Sequence, residues 1–196
     1  MIPITWMNSF YPKIFGNETF IPMKFKTALD VGCGKGTTAT ILRNYRSPER
    51  IEGLDAFLPY LHHCSKFGCY DALHFFNLSK TQSLPFQDKE FDLVLCLEVV
   101  EHLYKTEAMK LLDELKRIGR HIIVSTPSTF NCQTSLDNNP FQIHKCRLSK
   151  KDFESKNFVV TGTGSFKFFV KYIPFESQLL GRLFPERMQT LIAIFK

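Results

Sequence analysis

The residues best suited to chemistry fall in four places along the chain. The stretch Ala28-Leu29-Asp30-Val31-Gly32-Cys33-Gly34-Lys35-Gly36-Thr37 joins an apolar run to a helical pattern through three glycines at alternate positions. A turn of that kind lets backbone approach something bulky where a side chain would be in the way. Asp55 stands about 20 residues further on, a spacing at which an acid meets a ribose hydroxyl. The run Glu98-Val99-Val100-Glu101-His102 puts two carboxylates and an imidazole within one short segment. His144 lies in Asn139-Pro140-Phe141-Gln142-Ile143-His144-Lys145. Imidazole can act as a base near neutral pH, and carboxylates with imidazole can hold a divalent ion.

The glycine turn is not a phosphate loop. Lys35 follows a glycine, but Gly36 stands where a Ser or Thr hydroxyl would be needed for magnesium. Its Gly-x-Gly-x-Gly spacing also lacks the third glycine of the dinucleotide fingerprint Gly-x-Gly-x-x-Gly. Asp30, just before the turn, would repel a pyrophosphate and favour a positively charged ligand. A nicotinamide-dependent oxidoreductase stays as an alternative, to be tested by binding of NADH.

These groups must be positioned by strands and helices. Thr27–Val31, Ile51–Leu54, Ala72–Phe76, Phe91–Cys96 and His121–Ser125 read as strands, the fourth nearly all apolar, as in parallel sheets buried on both faces. Lys35–Tyr45 reads as a first helix. Pro59 suits the first turn of a second, and Gly68 its C-terminal cap. Thr106–Ile118 is the clearest helix, with Ala108, Leu111, Leu112, Leu115 and Ile118 on one face and Thr106 as its expected cap. Residues 126–148 read as loop, and Ser149-Lys150-Lys151-Asp152 as a capping-box start to a short helix. Asn157–Thr163 and Leu191–Phe195 complete the strands, with a short helix expected at Glu176–Leu183. The order fits an open, doubly wound α/β sheet in one domain spanning 1–196. In such sheets ligands lie at the carboxyl ends of the strands, where the turn, Asp55, Asn77, Cys96–Glu101 and Ser125–Ser128 all fall. Residues 1–26 are expected to cover the sheet or the ligand mouth, and 126–189 to include loops on the acceptor side.

Composition adds bounds. No apolar run approaches a membrane span, and the first residues lack a signal-peptide pattern, so a cytoplasmic location is expected. None of the six cysteines forms a Cys-x-x-Cys pair, which disfavours a zinc site or a disulfide framework. Residues 1–144 carry 15 Lys+Arg and 15 Asp+Glu, whereas residues 145–196 carry 10 and 4, the whole net charge of +6. That last quarter also holds 8 of the 20 Phe, including Phe166, Phe168, Phe169 and Phe175 beside Lys167, Lys171 and Tyr172. A basic, aromatic end suits core or lid packing, an acidic substrate, nucleic acid or peripheral contact with a membrane.

Across roughly residues 27–163 the chain resembles the type 11 group of class I methyltransferases that use S-adenosylmethionine (SAM). The matching pieces are Leu29-Asp30-Val31-Gly32-Cys33-Gly34-Lys35-Gly36, Leu84-Pro85-Phe86, Phe91-Asp92-Leu93-Val94, Val99-Val100-Glu101-His102-Leu103 and Ser125-Thr126-Pro127. The sulfonium and ammonium of SAM would supply the positive charge that Asp30 favours. The resemblance implies a Rossmann-like sheet of seven strands, mostly parallel, with an antiparallel last strand. It implies that Asp30, Gly32, Cys33 and Gly34 hold the methionine end of SAM. Asp55 would accept the ribose hydroxyls with Ala56 beside the adenine, and Asn77 and Leu78 would meet the adenine edge. Cys96, Leu97 and Glu98 would line the pocket floor. Members of the group usually carry Asp where this chain has Asn77, whose amide oxygen can still accept a bond.

The expected reaction is methyl transfer to a nucleophile, leaving S-adenosylhomocysteine. Glu101, His102 and His144 are the candidate catalytic groups. Glu98, Glu101 and His102 are weak candidates for a metal, in a pattern similar to metal-assisted small-RNA 2′-O-methyltransferases and quinone-biosynthesis O-methyltransferases, with His144 as a further ligand. The spacing by itself assigns no metal. The expected acceptor is a small aromatic or lipid-like molecule, with RNA as the alternative and a SAM-binding regulatory subunit without activity as another. Neither the acceptor nor the oligomeric state follows from the sequence.

Overall fold

The computed structural model describes residues 20–22, 24–80, 83–130, 132–135, 137–168, 171–173 and 178–196; for residues 45, 80, 165–168, 171–173 and 178 it describes the backbone alone. The strands are β1 (Thr27–Val31), β2 (Arg50–Asp55), β3 (Ala72–Phe75), β4 (Phe91–Leu97), β5 (Gly119–Pro127), β6 (Val159–Phe168), β7 (Lys171–Ile173) and β8 (Met188–Phe195). The helices are α1 (Thr37–Arg46), α2 (Leu58–Phe67), α3 (Lys105–Ile118), α4 (Lys150–Glu154) and α5 (Gln178–Leu183). The sheet order is β3-β2-β1-β4-β5-β8-β6-β7. The first five strands are parallel, β8 is antiparallel to both β5 and β6, and β7 is antiparallel to β6. The mostly parallel, doubly wound sheet is as expected. Among the described residues it carries eight strands, because the three residues of β7 fold back on β6 as an extra edge.

Local chemistry accounts for the elements that matter to the site. α1 begins directly after Gly36, whose φ of +84° favours glycine. α2 starts with Pro59 in its first turn and ends at Gly68, φ +60°, whose amide donates to the Cys64 carbonyl. The apolar stripe of α3 is buried as its period predicts. Its start differs from expectation: the helix begins at Lys105, and the Glu107 carboxylate accepts the Tyr104 amide at 2.9 Å, so Thr106 is inside the first turn and is not the cap. Ser149 behaves as expected, exchanging bonds with Asp152 at the start of α4.

Two apolar layers sandwich the sheet. On one face α3 packs through Leu112, Leu115 and Ile118 with Phe153 and Phe158. On the other, Leu42 of α1 and Leu61 and Cys64 of α2 pack with Ile21. Ile21 and the Phe20 carbonyl, which accepts from His121 Nε2 at 2.6 Å, lay the described end of the N-terminal cover on that face. The remainder of the expected cover, residues 1–19, lies outside the described residues, as do the side chains of the Phe166–Phe175 cluster.

Parallel registers align the strand ends. Val31 pairs with Leu54, Asp30 with Leu95, and Leu97 with Ser125. Gly119, at the join of α3 and β5, has no room for a side chain: a Cβ there would stand 2.6 Å from Val94 Cγ2 and 3.2 Å from the Leu115 carbonyl. Gly119→Ala is expected to lower stability by about 1–3 kcal/mol, measured as a fall in the urea midpoint at unchanged slope.

Candidate active site

The glycine turn hangs from the end of β2. The amides of Gly32 and Cys33 both donate to the Leu54 carbonyl, at 2.7 and 3.0 Å. Gly32 has φ +75°, and a Cβ on it would collide with Val99, which follows β4. Only glycine satisfies both conditions. Asp55 closes the turn from the other side: Oδ2 accepts the Gly34 amide at 2.9 Å and Oδ1 accepts the Phe57 amide at 2.8 Å. It therefore forms a local Asx turn and does not cap α2, whose N-terminal cap position is Phe57. Burial pushes the Asp55 carboxyl up, and the amides of Phe57, Gly34 and Ala56 pull it back.

Asp30 lies under the turn, 2% exposed, and accepts the Tyr70 hydroxyl at 2.6 Å. Burial pushes its carboxyl up to about 7, with the charge of Asp55 adding to the effect and Tyr70 and Thr38 opposing it. Asn77 caps a short helical turn, Leu78–Lys80, its oxygen accepting the Ser79 amide at 3.0 Å and the Ser79 hydroxyl at 2.7 Å. The oxygen expected to meet adenine thus already accepts two bonds.

The segment after β4 carries the acids. Glu98 has φ +57°, a left-handed conformation that costs a non-glycine residue energy. Its amide donates to the Ser125 carbonyl at 3.0 Å, and the Ser125 hydroxyl donates to its Oε1 at 2.7 Å. Burial pushes the Glu98 carboxyl up to about 7. Glu101 is fully enclosed and accepts the Thr126 hydroxyl at 3.1 Å; burial first, then the charge of Glu98, raise its pKa. The Glu101 carbonyl accepts the amides of Lys145 and Cys146, at 2.8 and 3.2 Å, which fastens the loop after β5 against this segment. That loop brings His144 to His102, with ring centroids 4.9 Å apart. His102 Nδ1 lies 3.4 Å from the Ile143 carbonyl. Burial, and next the neighbouring His144, lower its pKa to about 4, so its ring is neutral at pH 7. One ligand atom each from Glu101, His102 and His144 all lie within 4.8 Å of one another.

A single cavity connects these parts. Gly32, Gly34, Asp55, Ala56, Asn77 and Leu78 form one end of its wall; Glu98, Val99, His102 and Leu103 form the middle; Asn139, Phe141, Gln142 and Lys145 close the other.

Residues 29–121 match the family model described as "Methyltransferase domain". The SAM-dependent methyltransferase of Aquifex aeolicus has the same fold, with a TM-score of 0.57 at 16% identity over 98% of this chain and 92% of that one. Residues 29–121 thus carry a methyltransferase domain, on the fold of SAM-dependent methyltransferases. The cofactor this match implies is SAM, and the nicotinamide alternative is set aside. An uncharacterized protein of Methanocaldococcus jannaschii is 29% identical over 164 residues, covering 79% of this chain and 67% of that protein. The structure of the small RNA methyltransferase HEN1 shares the fold with a TM-score of 0.64 at 21% identity, over 95% of this chain but 24% of that one.

Within this methyltransferase, the expected SAM-binding residues divide by position. Gly32, Gly34, Asp55, Ala56, Asn77, Leu78 and Glu98 reach the cavity wall, as does the candidate base His102. Asp30, Cys33, Cys96, Leu97 and Glu101 are buried and do not form that wall; they support it from below or behind. His144 joins Glu101 and His102 beside it. Val99 joins the wall from the same run as Glu98 and His102, whereas Ser79 has no sequence signal beyond Asn77, which caps the turn holding it.

Asp30 yields a test of the electrostatics. The unfolded chain loses this proton near pH 4, and the folded chain keeps it to about 7. The resulting stability is complete below pH 4 and is lost as pH rises through 7. Asp30→Asn keeps an acceptor for Tyr70 and removes this titration. Thermal unfolding of the SAM-free protein should show the variant more stable than the parent at pH 8, with a flatter decline between pH 5 and 8.

Proposed function

We propose that this methyltransferase is an O-methyltransferase in which Glu101, His102 and His144 hold a divalent cation at the acceptor end of the SAM pocket. The observation that supports it is the convergence of their ligand atoms within 4.8 Å. A mixed carboxylate and imidazole set suits manganese, iron or zinc, and magnesium with added water. When bound, the cation would act as a Lewis acid that lowers the pKa of an acceptor hydroxyl.

The chain's own residues supply orientation. Thr126 holds the Glu101 carboxylate, and Ser125 holds Glu98 beside it. Asp55 exchanges its bond to the Gly34 amide for the ribose hydroxyls of SAM, or shares it with them. Asp30 favours the cationic methionine end through its field. Methyl transfer then needs the acceptor oxygen in line with the methyl group and sulfur, which is a matter of positioning.

The acceptor in this reading is a small hydroxylated molecule with an apolar body, because Val99, Leu103 and Phe141 line the wall beside the acids. A second reading is a ribose hydroxyl of RNA. It is favoured by Lys145 on the wall, by the +6 charge of residues 145–196 and by the fold shared with HEN1.

The test is release of S-adenosylhomocysteine from purified protein with SAM, Mg²⁺ or Mn²⁺, and either phenolic and hydroxy-acid acceptors or short RNAs. Activity is expected to vanish with EDTA. His144→Ala and Glu101→Gln are each expected to lose about 100-fold while still binding SAM. Activity on RNA would fall steeply between low and physiological salt, and activity on a small acceptor would not. Full activity in EDTA, or an unimpaired His144→Ala, would overturn the metal reading. Separately, Asp55→Ala is expected to weaken SAM binding by about tenfold or more in calorimetry, as two charge-assisted bonds are lost.

A further inference from the structure

Three thiols crowd the underside of the SAM turn. Cys33 belongs to the turn, Cys64 to the last turn of α2, and Cys69 follows the Gly68 cap. Cys64 Sγ lies 3.3 Å from the Gly34 carbonyl, to which its thiol donates. The Cys33 and Cys69 thiols also lie close enough to influence its ionisation. Gly68, at φ +60°, turns the chain back so that Cys69 Sγ comes within 3.8 Å of the Cys64 carbonyl. A Cβ on Gly36 would stand 2.6 Å from Cys69 Sγ and 3.2 Å from Cys64 Sγ. The two sulfurs therefore close on one point beneath the turn, in a space that exists because residue 36 has no side chain.

The three differ in what can reach them. Cys33 and Cys64 are buried, and Cys69 is half-buried. The Cys33 sulfur is wedged against β2, 3.1 Å from where a Cβ on Gly53 would stand. Hydrogen bonding with Cys33 is the leading influence that lowers the Cys64 pKa, which favours its thiolate as the attacking sulfur. Methyl transfer as described above uses neither Cys64 nor Cys69.

We propose that Cys64 and Cys69 form a redox-modification site, joining as a disulfide under a two-electron oxidant such as hydrogen peroxide and thereby weakening SAM binding at the turn above them. One thiolate of the pair attacks the peroxide; the O–O bond breaks, a sulfenic acid forms and one water leaves. The other thiol then attacks that sulfur; the S–S bond forms, the S–O bond breaks, and a second water carries away the oxygen. Two thiols lose two hydrogens, and one peroxide becomes two waters. Cys64 then has no proton to donate to the Gly34 carbonyl, and its sulfur is drawn toward Cys69. The effect on SAM rests on the reading that Gly32–Gly36 holds the cofactor; the cross-link itself does not.

Trypsin separates the three cysteines, because cleavage after Lys26, Lys35, Arg50, Lys66 and Lys80 places them on peptides 27–35, 51–66 and 67–80. The full chain is treated with hydrogen peroxide, free thiols are alkylated, and the digest is analysed by mass spectrometry without reduction. SAM affinity is measured by calorimetry on the same samples. The expected result is a cross-link between 51–66 and 67–80, and a SAM Kd raised about five- to tenfold and restored by dithiothreitol. Cys69→Ser and Cys69→Ala should bind SAM like the reduced parent and ignore peroxide. Absence of that cross-link, a link to 27–35 in its place, or a cross-linked protein with unchanged SAM affinity would overturn the proposal. A reduced parent that fails to bind SAM would instead overturn the cofactor assignment of the turn.

Discussion

One carbonyl, that of Leu54, organises this enzyme's cofactor end. It accepts two successive amides, from Gly32 and Cys33, and so ties the turn after β1 to the end of β2. The next residue is Asp55, which reaches back to the Gly34 amide. Turn and acid are thus held by the same short piece of chain, and neither can shift without the other. Val99, after β4, fills the space that Gly32 leaves open. Three strand ends interlock there. The parallel register that pairs Val31 with Leu54 makes this arrangement possible.

The rim built on that junction is costly. Asp30, Asp55, Glu98 and Glu101 are all carboxyls whose burial raises their pKa. Glu98 is also held in a left-handed backbone conformation. A fold selected for stability alone would not gather acids in one low-dielectric place. A cationic cofactor would offset that cost at one end, and a divalent cation at the other. Stability given up at the rim is recovered in the apolar layers on either side of the sheet.

How much of this was readable from the sequence depends on whether the cause is local. β1 has the expected bounds, and α3 shows the expected buried face, because period and composition alone decide them. The start of α3 is not legible, since Glu107 reaches back to Tyr104 while the nearby Thr106 looks equally suitable in sequence. The meeting of His102 with His144 depends on a loop fastened to the Glu101 carbonyl, and no local pattern signals that bond. The role of Asn77 is similar. Its oxygen serves Ser79, a turn contact that residue type permits but does not require. The thiols under the turn have no metal-like spacing, and they meet only because α2 packs back on β2 and β3.

The loop that carries His144 has a second anchor. Asp137 accepts Lys35 Nζ at 2.7 Å and the Tyr60 hydroxyl at 2.9 Å, so it is bound at once to the segment entering α1 and to α2. The same loop supplies Asn139, Phe141 and Gln142 to the far wall of the cavity. The acceptor wall is therefore pinned to the cofactor wall, like a drawbridge chained to the opposite bank. Any shift of this loop would therefore be felt at Lys35 and Tyr60, beside the glycine turn.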